Sequence, residues 1–149
     1  MPCKRGKFIM LARADNLHAS AFRVLVALGI VADVALALPA VLSPDWIESA
    51  LYLPPVLSFK ADIWQRGVGV LRLLLSSMYV PALVSPLRDR YVSAAAVTSR
   101  LLLGLFWFWA VEFADYPRGY LLFAYLEGAL GAAQAALYVA ILRREHRGA

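Results

Sequence analysis

Residues 119–142 read GYLLFAYLEGALGAAQAALYVAIL, a run in which Glu127 is the only charged side chain. A helix needs about 20 predominantly apolar residues to cross the hydrocarbon core of a bilayer. Inside lipid, a helix also satisfies every backbone hydrogen-bonding group within its own segment. The stretch therefore predicts a transmembrane helix that carries one acid near its middle.

Three more stretches share this character, at residues 21–42, 63–84 and 91–113. Hydrophobic residues make up 62% of the 149 positions, and the mean hydropathy is +0.66, well above that of an ordinary soluble domain. The sequence thus predicts an all-α, integral membrane four-helix bundle that forms a single domain over residues 1–149. Its connections are an outer loop at 43–62 and two short turns.

The basic residues predict how the bundle lies in the membrane. They concentrate in the N-terminal segment 1–20, the connection after the second span, and the tail 143–149, whereas the opposite side is mostly acidic. This distribution follows the positive-inside rule and predicts a multi-pass protein of the cell inner (plasma) membrane with both termini cytoplasmic. The net charge of +5 does not indicate a nucleic-acid partner, because no basic stripe is interleaved with aromatic residues.

The start of the chain allows alternative interpretations. A basic region, an apolar stretch and the triplet Ala35-Leu36-Ala37 resemble a signal peptide, but the basic region is long and Asp33 interrupts the apolar core. Met10, followed by Leu-Ala-Arg, is a second candidate start. Asp15 or Asn16 is the predicted N-cap of the first helix.

The outer loop predicts a short interfacial helix. Ser43-Pro44-Asp45 is a good helix start, with Ser as cap and Pro at the first position. Trp46, Ile47, Leu51 and Tyr52 suit the headgroup level of a membrane, and Pro54-Pro55 ends the segment. Anchoring of the loop is favoured over a substrate lid.

Four charged residues, one in each predicted span, define the polar interior: Asp33, Arg72, Arg100 and Glu127. Charged residues inside a membrane bundle are costly and mark functional sites or mutual pairs. At 1.5 Å per residue, Arg72 and Glu127 lie about 12–13 Å below the outer boundary, and Asp33 and Arg100 about 14–18 Å from the inner one. All four can meet, and either arginine can pair with either acid.

Each charged residue shares one helix face with residues about one and two turns away, because positions i, i+4 and i+7 lie on the same side of a helix. These residues form a stripe that is predicted to face the interior of the bundle. Gln134 follows Glu127 on one stripe, where a lone Gln more often joins helices than binds a ligand. Tyr79 ends the stripe of Arg72, and the neighbouring Pro81 predicts a kink there. The stripes are Gly29, Asp33 and Ala37 (or Leu36); Arg72, Ser76 and Tyr79; Arg100, Gly104 and Trp107; and Glu127, Gly131 and Gln134.

Several chemistries lack the residues they need. Cys3 is the only cysteine, and the two histidines, His18 and His146, lie near the ends of the chain. A disulfide, a dithiol redox pair, an internal haem site and a metal centre are therefore not expected. No metal ligand or cofactor-binding residue is predicted, and no cofactor is expected in this chain alone. The sequence leaves open whether the chain is an enzyme and which residues would be catalytic.

The four charges support two interpretations. In the first, two Arg–carboxylate pairs fix the order and register of the helices. In the second, Arg72 and Arg100 bind an anionic or quinone-like head group, while a partly desolvated Glu127 or Asp33 carries a proton.

The chain resembles the DoxX-like four-helix membrane proteins of bacteria and archaea over about residues 20–142. Trp64-Gln65-Arg66-Gly67, Ser99-Arg100 and Pro117-Arg118-Gly119-Tyr120 carry the resemblance. It implies a small membrane subunit associated with quinone-linked redox systems, with a quinone or a lipid as its ligand.

These observations lead to one functional hypothesis and two alternatives. The first is an accessory or assembly subunit of a larger, quinone-linked redox membrane complex. The second is a membrane enzyme or carrier that uses the intramembrane Arg/carboxylate site for a lipid, a quinone or a proton. The third is a self-associating scaffold, since Ala124, Gly128, Ala132 and Ala136 form a stripe that permits close helix packing. The expected partners are the lipid bilayer and other membrane subunits or further copies of the chain.

Overall fold

The computed structural model describes residues 4–50 and 59–148, which form helices joined by short connections. Four long helices pack together and a short helix follows the first, so the predicted all-α four-helix architecture is confirmed. In chain order the helices are α1 (Lys4–Leu42), α2 (Pro44–Ala50), α3 (Phe59–Met78), α4 (Val80–Val84), α5 (Arg90–Phe113) and α6 (Leu121–Gly148), with one 3-10 turn at Arg118–Tyr120.

Four segments are long and apolar enough to cross a membrane, and they overlap the predicted spans: Leu17–Leu42, Gln65–Val84, Arg90–Phe113 and Arg118–His146. The second segment runs through α3 and α4, and the fourth begins in the 3-10 turn before α6. Large apolar side chains point outward, as with Val31 at 64% and Leu105 at 65% exposure, while Asp33 is only 5% exposed. A soluble protein would place these side chains the other way round, so the pattern fits a bundle surrounded by lipid.

Contacts between α1 and α3 show that these helices run antiparallel. Near the end of α1, the Arg66 guanidinium donates to the Val41 carbonyl at 2.6 Å. Further along α3, Ser76 donates to Asp33 at 2.9 Å. The Arg66 contact also satisfies a carbonyl that the last turn of α1 leaves without an intrahelical partner.

The helices α5 and α6 make the closest contact in the bundle. A β-carbon on Gly104 would lie 2.8 Å from the Gly128 backbone nitrogen, and one on Gly131 would lie 3.0 Å from the Leu101 nitrogen. The two backbones therefore touch where glycine removes the side chain, as in other membrane helix pairs.

Around the bundle, the helices follow the order α3, α1, α6, α5. The pairs α1–α3, α1–α6 and α5–α6 pack along their lengths, whereas α3 and α5 hardly touch. A hydrogen bond of 2.5 Å between the Tyr79 hydroxyl and Ser99 crosses this α3–α5 seam. The seam is the loosest of the four helix boundaries, although α4 also packs on α5.

The predictions for local features of the helices were partly right. The second span breaks at Tyr79 between α3 and α4, at the position of the predicted kink. Pro81 has no N–H to continue the helical hydrogen bonding there. Helix α2 begins at Pro44 directly after Ser43, also as predicted. Its predicted continuation through residues 51–55 lies outside the described residues. The predicted N-cap at Asp15 or Asn16 was wrong, since α1 is already helical from Lys4.

Polar and apolar groups form three layers along the bundle. The end of the bundle at which α1 begins and α6 finishes is called here the termini end. An apolar cluster lies toward this end, and the four buried charges lie next to it along the bundle. The apolar cluster comprises Phe22, Val26, Tyr79, Ala96, Val97, Tyr138 and Ile141. An aromatic cluster of Trp107, Tyr116, Tyr120 and Phe123 lies at the other end.

A ring of buried charges as candidate functional site

The four predicted intramembrane charges meet in one closed network, the charge ring. Arg72 donates from Nε to Asp33 Oδ1 at 2.8 Å and from Nη2 to Glu127 Oε1. Arg100 donates from Nη2 to Asp33 Oδ2 and from Nη1 to Glu127 Oε2, both at 2.6 Å. Each arginine thus bridges both acids, and each acid bridges both arginines, so all four helices that carry them are joined.

The charge ring is neutral and largely shielded. Two acids face two bases, and the side chains of Asp33, Arg100 and Glu127 are 7%, 3% and 1% exposed. Arg72 is more open, at 15%. Buried charges are tolerated when they are paired and their remaining hydrogen-bonding positions are filled. Both oxygens of both carboxylates meet that condition here.

The helical periodicity of the sequence explains how α1 and α6 present their acids. On α1, Gly29 and Ala37 lie one turn before and after Asp33 and are buried with it. On α6, Gly131 and Gln134 continue the buried face of Glu127. Each acid therefore lies on the buried face that its helix turns toward the other helices.

Gly29 provides the space in which the Arg100 guanidinium lies. A β-carbon built on Gly29 would come within 2.5 Å of Arg100 Nη2 and 2.7 Å of its Cζ. Any larger residue would occupy the volume of the guanidinium. Gly29 of α1, which has no side-chain carbon, thus lies against the long side chain of Arg100 of α5.

The close approach of α5 and α6 brings Arg100 to Glu127. Gly104 lies one turn beyond Arg100 on α5, and Gly128 directly follows Glu127 on α6. Because the backbones touch at these glycines, the Arg100 side chain reaches the Glu127 carboxylate at 2.6 Å. Gly104 sets the helix separation that the ion pair requires, because a β-carbon on it would lie 2.8 Å from the Gly128 nitrogen.

Two further groups support the ring, and the sequence analysis did not assign them this role. Ser76 donates to Asp33 Oδ2 at 2.9 Å from a fully buried position. The Phe123 ring lies 5.9 Å from Arg72 Cζ, within the range of a cation–π contact. Ser76 shares a predicted inward-facing stripe with Arg72, which was a usable signal, whereas Phe123 gave no comparable one.

Tyr79 and Gln134, the other two predicted site residues, lie apart from the four charges. The Tyr79 hydroxyl pairs with Ser99 across the α3–α5 seam. Gln134 donates from Nε2 to the Leu25 carbonyl at 3.0 Å and so joins α6 to α1. Its Oε1 atom is buried without a hydrogen-bond partner. Tyr79 borders the same small cavity as the ring, while Gln134 acts between helices.

The free space beside the charge ring is small. A cavity of about 10 Å³ lies at the α3–α5 seam, which is close to the minimum that one water molecule needs. Its walls include all four charges as well as Leu75, Tyr79, Ser99 and Leu103. In this conformation the site has no room for an organic head group, but it does offer space for one water among ionisable groups.

Metal chemistry has no visible donor set in the described part of the chain. Within residues 4–50 and 59–148, no group of three or more His, Cys, Asp or Glu side chains is arranged to hold a metal ion. No protein-family model, curated protein or solved structure matches the chain. The site is therefore interpreted from its own geometry.

Proposed function

We propose that this chain is an accessory or assembly subunit of a larger complex in a bacterial inner membrane, with four spans and both termini cytoplasmic. The quinone-linked redox complex implied by the DoxX-like resemblance is the first candidate for that assembly. In this proposal the charge ring is an interlock that fixes the order and register of the four helices.

The closed pairing of the charge ring carries this proposal. Each acid accepts from both arginines and each arginine donates to both acids, so the charges already satisfy one another. A substrate site normally holds polar groups that remain available to the ligand and a cavity that encloses it. The ring offers neither, since the adjoining space is about 10 Å³.

The interlock explains why membrane helices would carry such costly residues. Helices in lipid gain little from burying apolar surface against one another, so polar contacts and close packing decide which helices associate. A ring that takes one charge from each of four helices is complete only when all four helices are in place. An arrangement that kept one charge away from the other three would leave it unpaired in hydrocarbon.

Gentle detergent extraction followed by native mass spectrometry and an absorption spectrum of the same fraction tests the proposal. We expect the chain to co-purify with other subunits that carry haem, flavin or iron–sulfur absorption. A colourless, isolated chain that turns over a substrate unaided would contradict it.

The α3–α5 seam supports a second candidate, a membrane enzyme or carrier that uses the ring for a lipid, a quinone or a proton. Arg72 is 15% exposed, and the small cavity lies at the seam where the two helices hardly touch. Separation of α3 from α5 would open the ring laterally to the hydrocarbon phase. The head group of an amphiphile could then enter the ring and replace one ion pair.

Paired neutral variants distinguish the two candidates. Under the interlock proposal, Asp33→Asn and Glu127→Gln lower thermal stability, and the fraction that remains folded keeps its effect on the assembled complex. Under the second candidate, the same variants abolish turnover or transport in protein that is still folded, as judged by size exclusion and circular dichroism.

A further inference from the structure

The charge ring leaves part of the Arg72 guanidinium unused. Arg72 donates from Nε to Asp33 and from Nη2 to Glu127, but its Nη1 has no hydrogen-bond acceptor among the residues that the structure describes. Arg72 is also the most exposed member of the ring, at 15%, and it lines the small cavity at the α3–α5 seam. It therefore retains the capacity to bind one further acceptor.

The seam beside Arg72 is closed mainly by one hydrogen bond. The hydroxyl of Ser99 donates to the Ala96 carbonyl at 3.1 Å, so Tyr79 is the donor in the 2.5 Å bond between Tyr79 and Ser99. Tyr79 is also the residue at which α3 ends and α4 begins. A change in conformation at this break can therefore release Ser99 and widen the seam while α1 and α6 stay in place.

The side entrance of the seam is apolar, whereas the ring behind it is charged. Leu75 and Leu103 line the cavity together with the four charges, and Leu71 and Leu102 on the same helices are exposed. A molecule that reaches Arg72 from the side must therefore be dissolved in the membrane and carry a polar head group. The cavity measures about 10 Å³, so the smallest head group requires the least widening.

Charge balance selects among such molecules. The closed ring is neutral, so a head group that enters as an anion would add an unpaired charge in hydrocarbon. A carboxylic acid can enter in its uncharged form, because an apolar medium disfavours the ionised one, and it can release its proton inside the ring. A phosphodiester lipid is already ionised, and an oxidised quinone has no acidic proton to release.

We propose that the charge ring binds the carboxyl group of a long-chain fatty acid, which enters through the α3–α5 seam. This proposal rests on the second candidate function given above. The O–H bond of the acid breaks and its proton moves to the Glu127 carboxylate. The resulting fatty-acid carboxylate then accepts from Arg72 in place of Glu127, so the total charge stays at zero. A planar guanidinium is suited to bind a carboxylate through two hydrogen bonds.

Glu127, rather than Asp33, is assigned as the proton acceptor. Both acids accept from both arginines, but Ser76 donates a further hydrogen bond to Asp33 at 2.9 Å. A hydrogen bond to an ionised acceptor is stronger than one to a neutral acceptor. Asp33 therefore keeps its charge and continues to hold Arg100 while Glu127 becomes neutral.

Native mass spectrometry of the full-length protein in detergent, with oleic acid as the probe, tests the site. We expect one retained oleic acid per chain. Methyl oleate has the same chain but cannot form the carboxylate, and a hydrogen bond to a charged group contributes about tenfold or more in affinity. It should therefore be retained at least about tenfold less. No retention of oleic acid, or equal retention of the ester, would overturn the proposal.

Two matched tryptophan variants test the route of entry. Leu103→Trp fills the seam beside the cavity and should weaken oleic acid retention at least severalfold. The control Leu102→Trp lies at an exposed position that does not line the cavity, and it should leave retention unchanged. Equal retention by the two variants would contradict entry through the seam.

Tyr79→Phe has the opposite expected effect, which a folding defect cannot imitate. It removes the hydrogen bond that must break before the seam opens. Such a bond contributes about 0.5–1.5 kcal/mol, or about two- to tenfold in affinity, so the variant should retain oleic acid more tightly by that factor. Unchanged or weaker retention would overturn the role of Tyr79 in closing the seam.

Infrared difference spectra with oleic acid labelled by ¹³C at its carboxyl group test the proton transfer. We expect the labelled carboxyl to appear as a carboxylate and an unlabelled protonated-carboxyl band to arise from Glu127, a band that Glu127→Gln should lack. A labelled carboxyl that stays protonated would overturn the transfer. If decylubiquinone is retained and oleic acid is not, the fatty-acid proposal fails and the second candidate function stands. If neither is retained, both fail.

Discussion

The guanidinium of Arg100 lies directly against the α-carbon of Gly29, so closely that a β-carbon on Gly29 would come within 2.5 Å of Nη2. The guanidinium cannot move aside freely, because Asp33 and Glu127 hold it at 2.6 Å from both sides. A single hydrogen atom in place of a side chain therefore permits the closed form of the charge ring.

Gly29→Ala should destabilise the protein by about 1–3 kcal/mol, the usual cost of forcing extra volume into a packed interior. The methyl group must displace the guanidinium and lengthen at least one of its ion pairs. Reversible unfolding in mixed micelles with increasing dodecyl sulfate measures this change.

Gly128→Ala is the matched control, because nothing lies within 4 Å of a β-carbon at that position. Alanine is a better helix former than glycine by about 1 kcal/mol, so this variant should be neutral or more stable. If both alanine variants proved equally stable, the proposed contact between Gly29 and Arg100 would be refuted.

Removal of one member of the charge ring should cost far more than loss of a surface ion pair. Glu127→Gln leaves the ring with an excess positive charge in a buried position, for which we expect about 3–5 kcal/mol of destabilisation. The control Arg90→Gln breaks a pair whose side chains are 49% and 36% exposed, and it should cost at most about 1 kcal/mol.

A double-mutant cycle tests whether the four charges act as a unit. The variant Glu127→Gln/Arg72→Gln is again neutral, so its destabilisation should be smaller than the sum of the two single changes by about 0.5–3 kcal/mol. Strict additivity would mean that Arg72 and Glu127 do not interact in the folded protein.

Ser76 and Ser77 are adjacent serines with contrasting roles. Ser76→Ala removes a buried hydrogen bond to Asp33 and should destabilise the protein by about 1.5–3 kcal/mol, as expected for a bond to a charged group. Ser77 is exposed and donates only to the Leu74 carbonyl of its own helix, so Ser77→Ala should change stability little. A reversed ranking of the two variants would contradict the described orientation of α3.

Cys3, the only cysteine in the chain, gives a direct test of the proposed orientation. With the N-terminus in the cytoplasm, a membrane-impermeant maleimide should label Cys3 in inverted membrane vesicles but not in intact spheroplasts. The variant Cys3→Ser/Ser43→Cys moves the thiol to the exposed position after α1 and should give the opposite result. Labelling of Cys3 from outside would reverse the assigned orientation.

The sequence was sufficient to predict the four long helices and the small break at Tyr79. Both follow from local chemistry, namely the length of apolar runs and the missing N–H of Pro81. The start of α1 was not predictable in the same way. Asp15 is a suitable capping residue, but helix can continue through such a position, and α1 does so from Lys4.

Sequence periodicity also indicated which face of each helix turns inward. Asp33, Arg100 and Glu127 are buried together with the small residues that share their faces. The balance of two acids and two bases, which can be read from the chain alone, allowed them to neutralise one another. The inward face depends on neighbours within a single helix, and the charge balance depends only on which residues the spans contain, so both can be read without knowing how the helices pack.

Only the tertiary structure decided how the charges pair and where the bundle is loose. Any one-to-one pairing of two acids with two arginines satisfies the charge balance, but the order α3, α1, α6, α5 places each guanidinium between both carboxylates. The contact between Arg100 and Gly29 and the sparse packing between α3 and α5 follow from the same helix order. Helix order depends on contacts between residues as far apart in sequence as Asp33 and Arg100, and a 3.6-residue periodicity carries no information about such distant partners.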